Sequence, residues 1–110
     1  MGDQDKRSEI TERFWLLQPP GSARALALAK LYLYKNRDQE AINQLLDVLS
    51  DQEVRQPVDL LGLLWPALLR LDRGDEAEQH LEAGMERFAD HAADIGNEWA
   101  SLVERRGDKG

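Results

Sequence analysis

Apolar positions recur along this chain at helical rather than strand spacing. Ile10, Phe14 and Leu17 fall at i, i+4 and i+7 within "EITERFWLLQ", one stripe of a helix that Ser8 can cap. Pro19, Pro20 and Gly21 end it, and Ser22 is a natural N-cap for the next segment. That segment, "ARALALAKLYLYK", alternates at Leu26, Leu28, Leu31 and Leu33 as a strand would. Its wealth of Ala and Leu, its shortage of β-branched residues and its length predict a helix instead. Asn36 to Asp38 forms a turn, after which "QEAINQLLDVLS" gathers Ala41, Ile42, Leu45, Leu46, Val48 and Leu49 on one broad face.

"SDQEVRQP" is a polar linker that places Pro57 in the first turn of the next helix, "VDLLGLLWPALLRL". That helix is apolar nearly all round, and Pro66 predicts a kink against the carbonyl of Gly62. Arg73 and Gly74 make a turn, and Asp75 with Glu78 has the spacing of a capping box. Ala77, Leu81, Gly84, Met85 and Phe88 then share a face. Asp90 to Asp94 reads equally as a break or a continuation, and Ile95, Trp99, Leu102 and Val103 form a last stripe. Residues 1–7 are expected to be disordered and 107–110 to fray. The fold class is all-α.

The second half restates the first. A shift of 36 positions carries Ala41 onto Ala77, Leu28 onto Leu64, Tyr32 onto Leu68, Arg37 onto Arg73, Glu40 onto Glu76 and Leu45 onto Leu81. A period of this size marks stacked helix pairs, because one pair cannot bury both of its apolar faces. The residues that carry the period are Ala25, Leu28, Ala29, Tyr32, Ala41, Leu45 and Val48, then Leu61, Leu64, Trp65, Leu68, Ala77, Leu81 and Gly84. In this respect residues 22–90 resemble the tetratricopeptide repeat (TPR) family. Trp65 stands where that pattern has a small residue.

The resemblance implies a TPR-like stack of antiparallel helix pairs within one domain, 8–106. Repeat one would cover about 22–50, repeat two about 57–90 and a C-terminal helix about 92–105, with flanking helices capping the stack. It also implies a groove lined by the first helix of each pair. Carried over by position, that groove presents Leu26, Lys30, Leu33, Tyr34 and Arg37 from one copy and Pro66, Leu69, Arg70 and Arg73 from the other. Its basic edge would receive acidic groups of another protein, an amphipathic helix or an extended peptide. Leu26, Leu33 and Leu69 read equally well as core. The asparagines that some members use to clamp a C-terminal carboxylate are missing from these positions. Small acidic proteins resembling this family act as secretion chaperones, so a secreted subunit is one partner the resemblance suggests. The alternative is a homodimer closed by the same apolar helices.

Composition narrows the chemistry. The 110 residues carry a net charge of −7 and no cysteine. That fits a cytoplasmic protein, and it argues against nucleic acid as a partner. The polar start is no signal peptide, and no apolar run is long enough for membrane insertion. No nucleophile, phosphate-binding or dinucleotide motif is present, so no catalytic residue, enzyme activity or cofactor is expected. Glu76 with His80, and His91 with Asp90 and Asp94, fall short of a zinc ligand set, so no metal is expected. Glu76, Glu78, Glu82 and Glu86 read as a solvated face. Trp15, Trp65 and Trp99 read as anchors in a core or interface, each needing a partner for its N–H if buried.

Overall fold

The computed structural model describes residues 2–51 and 53–107, with side chains from Lys6 onward. Six helices follow one another: α1 (Gly2–Leu16), α2 (Ser22–Tyr34), α3 (Asp38–Leu49), α4 (Pro57–Arg70), α5 (Gly74–Arg87) and α6 (Ala92–Arg105). There is no strand among the described residues, and 23–35 is helical as its composition predicts. The chain divides into two compact units, Met1–Arg55 and Gln56–Gly110.

In the first unit α2 packs against both α3 and α1. Leu28, Ala29, Tyr32, Ala41, Ile42 and Leu45 are buried, Ala29 and Ala41 being the small residues among them. The turn between α2 and α3 is a Schellman closure. The Arg37 N–H donates to the Tyr32 carbonyl (2.8 Å) and the Asn36 N–H to the Leu33 carbonyl (3.1 Å), with Asn36 left-handed at φ 62°.

The second unit repeats this turn in every particular. Arg73 N–H donates to the Leu68 carbonyl (2.9 Å), Asp72 N–H to the Leu69 carbonyl (3.0 Å), and Asp72 is left-handed at φ 60°. The arginine after each turn pairs with the glutamate three residues on, Arg37 with Glu40 and Arg73 with Glu76. The 36-residue period is therefore present in backbone conformation as well as in residue type.

In the second unit α5 packs against α4 and α6, and α6 also reaches α4. Gly84 permits the α4–α5 crossing: a Cβ there would lie 2.7 Å from Leu61 Cδ1. Pro57 occupies the first turn of α4, as expected, and α4 continues through Pro66 without interruption. Residues 90–94 resolve as a break, a single 3-10 turn at Ala89–His91 that separates α5 from α6.

Four local expectations are corrected. Helix α1 begins at Gly2, so 2–7 are helical and Ser8 lies inside the helix; nothing after Gly2 interrupts it, and a polar turn extends the amphipathic one. Residue 1 and residues 108–110 lie outside the described set. Ser22 is not an N-cap, because Gly21 holds that position and the Ser22 hydroxyl instead accepts the Arg55 backbone N–H (3.1 Å). Asp75 and Glu78 form no capping box; Arg73 is at the N-cap of α5, and both acids bind Arg106, the residue after α6. Glu76 and Glu78 are consequently half-buried and paired, while Glu82 and Glu86 remain exposed.

Candidate interaction surfaces

Helix α2 is covered on most sides, but it leaves a ridge open. Ala23, Lys30 and Tyr34 are exposed along it, and Tyr34 is 69% exposed. Leu33 lies half-buried beside them and Leu26 is buried at 9%. Leu26 therefore belongs to the core rather than to an open surface. Arg37 is half-buried, with its guanidinium 4.9 Å over the Tyr32 ring and its charge paired with Glu40. The hydrogen bond to Glu40 raises the Arg37 pKa and lowers that of Glu40.

Helix α4 shows the same ridge at positions shifted by 36. Asp59 and Arg70 are exposed, and Leu63, Pro66 and Leu69 are half-buried. Arg73 hydrogen-bonds Glu76 (2.5 Å), which lowers the Glu76 pKa. The structure thus brings Lys30, Leu33 and Tyr34 together on one helix and Pro66, Leu69 and Arg70 on the other. Arg37 and Arg73 sit at the turns with their charges paired locally, and Lys30 and Arg70 are exposed on the helices themselves.

The expected small-residue position held by Trp65 has its own solution. The indole is 5% exposed, donates from Nε1 to Glu98 Oε1 of α6 (2.7 Å) and lies under the Arg105 guanidinium at 5.4 Å. Gly62, one turn earlier, faces the same Glu98 carboxylate, which would stand 3.5 Å from a Cβ placed there. Trp99 donates to Glu78 Oε1 (2.9 Å). Both indoles find the acceptor that burial requires.

Periodicity grouped the apolar residues of α1 on one side without saying which way that side faces. The stripe faces outward: Ile10 is 59% exposed, Phe14 54% and Leu17 84%. The inner side, toward α2, carries Ser8, Glu12, Trp15 and Gln18, all half-buried. The anchor is polar: Tyr32 Oη donates to Glu12 Oε2 (2.9 Å), while Arg24 Nη1 donates to the Gln18 carbonyl (3.0 Å). Burial, the hydrogen bond to Glu12 and its negative charge push the Tyr32 pKa up to about 12. Glu12 and Trp15, both half-buried, lie opposite the stripe.

One cavity of about 210 Å³ lies in the first unit, lined by Arg24, Gln44, Asp47 and Asp51 among others. That is below the range of small-molecule sites, which begins at roughly 300 Å³. Among the described residues no cluster of three His, Asp or Glu could hold a metal ion, and no helix is long and apolar enough to cross a membrane. Comparison with family models, curated proteins and solved structures finds no match to the chain.

Proposed function

We propose that this chain is a non-enzymatic protein-interaction module, a small TPR-like adaptor or chaperone working in the cytoplasm. It would hold a helical or extended segment of another protein, a secreted subunit being one such cargo, against the ridges that α2 and α4 each present. The observation that carries this reading is the exposed Tyr34, set beside Lys30 and Leu33 on a helix otherwise covered. Exposed aromatic side chains next to cations are the residue types that dominate binding energy at interfaces. The repeated ridge at Asp59, Pro66 and Arg70 supports it further.

Self-association through the apolar helices has less to use. Leu28, Leu60, Leu61, Leu64 and Leu68 of α2 and α4 are already buried at 2% exposure or less.

Co-purification from the native host with wild type, Tyr34→Ala and Arg70→Glu, read by mass spectrometry, tests the proposal. A stoichiometric protein should accompany wild type and fall away in both variants, while their melting points stay near wild type, since exposed substitutions usually cost under about 0.5 kcal/mol. If no protein is recovered, or the same proteins are retained by all three, the ridge is not the binding surface.

A further inference from the structure

From the outward face of α1 we infer a second docking surface, separate from the ridges of α2 and α4, whose occupant is an amphipathic helix of another protein with acidic flanks. Ile10, Phe14 and Leu17 form a continuous exposed stripe two turns long. The register of α1 places Lys6 and Arg13 along one border of that stripe and Arg7 along the other, and all three are exposed. Glu9 lies further round, and Glu12 is on the inner side, engaged with Tyr32. An apolar strip between two cationic borders is complementary to a helix that presents large apolar residues at i, i+3 or i+4 and i+7 between Asp or Glu.

The borders also discriminate between occupants. A second copy pairing through the same stripe would be isologous and would set cationic borders against cationic borders. The acidic C-terminal unit, with twelve acidic and six basic residues, has suitable charge but no matching strip. Outside α1 and the residue after it, the exposed large apolar side chains among the described residues are Tyr34, Leu71 and Val103, which lie on three separate elements. A membrane surface favours interfacial helices whose whole polar face is rich in Lys and Arg. The polar face of α1 instead carries Glu9 and Glu12 and is held to α2. The remaining occupant is a helix from another protein that brings its own apolar stripe and its own negative charge.

A displayed library of helix-favouring peptides of unbiased charge, selected against the full chain, supplies the probe. Selection should enrich large apolar residues at helical spacing flanked by Asp and Glu. A synthetic peptide from that pool, titrated by fluorescence anisotropy, should bind wild type and Tyr34→Ala alike. It should bind Phe14→Asp at least about tenfold more weakly, as expected for a central apolar anchor. Lys6→Glu combined with Arg13→Glu should also weaken it, and added salt should weaken wild-type binding by screening the borders. Leu17→Asp, at 84% exposure, serves as the second stripe variant should Phe14→Asp alter the helical circular-dichroism signal.

Failure to enrich any sequence, enrichment of Lys and Arg, or equal affinity for the stripe variants would overturn the inference. So would self-association of wild type in sedimentation that Phe14→Asp abolishes, or stripe-dependent pelleting with phosphatidylserine vesicles. Because Tyr34→Ala must leave this binding intact, failure of the ridge proposal is distinguishable from failure of this one.

Discussion

Asn36 and Asp72 hold the left-handed position that closes each helix pair, at φ 62° and 60°. Both residue types tolerate that conformation because a short polar side chain relieves little of the backbone but clashes less than a branched one. Asn36→Val and Asp72→Val should therefore each lower stability by about 1–2 kcal/mol in urea unfolding. The matching Gly variants should cost nothing or stabilise. Valine variants as stable as wild type would mean that the turns do not require φ > 0. Tyr32 makes a second expectation at this scale. Its folded pKa, about 12, lies above the ordinary value near 10. The neutral phenol is the form that donates to Glu12, so its contribution is complete below pH 10 and is lost as pH rises through 12. Titration by phenolate absorbance should show one tyrosine ionising late, and Tyr32→Phe should remove that late step. If the late step survives in Tyr32→Phe, the tyrosine held by Glu12 is misassigned.

At the scale of elements, Gly84 sets how closely α5 can approach α4. A Cβ at 84 would lie 2.7 Å from the Cδ1 methyl of Leu61, which is only 2% exposed and would have to shift within a packed core. Gly84→Ala gains about 1 kcal/mol of helix propensity. It should nonetheless be a net loss in chemical denaturation, since overpacking costs about 1–3 kcal/mol. A more stable Gly84→Ala protein would show that Leu61 yields. Much at this scale was legible beforehand. Helix against strand at 23–35 followed from composition, and turns were read at Asn36–Asp38 and Arg73–Gly74, the second one residue past its left-handed Asp72. The caps were misread for a shared reason. Ser22, Asp75 and Glu78 have side chains fit for capping, yet Arg55 and Arg106, distant in sequence, engage them instead. Cap motifs describe what a side chain can do locally and carry no information about a rival partner from another element. The orientation of α1 was not legible for a related reason. Periodicity shows that Ile10, Phe14 and Leu17 share a side, but the choice of which side turns inward belonged to the Tyr32–Glu12 hydrogen bond.

For the whole molecule, charge is distributed as unevenly as apolar surface. The N-terminal unit has nine acidic and eight basic residues, so the net charge of −7 resides almost entirely in the C-terminal unit. The net charge by itself does not show this division. The cationic borders on α1 become visible only once helix register and burial are known. Of the residues that the resemblance assigned to a groove, Leu26 is core, and Arg37 and Arg73 are paired with Glu40 and Glu76.

The last helix finishes its unit with a mostly hydrophilic exterior, showing Asp94, Asn97, Ser101 and Glu104 to solvent. That is how helical arrays stop growing. The first helix shows phenylalanine and leucine there instead. The N-terminal unit thus keeps apolar side chains on its exterior at Ile10, Phe14 and Leu17. A reporter or affinity handle belongs after α6, where the surface is already made for water.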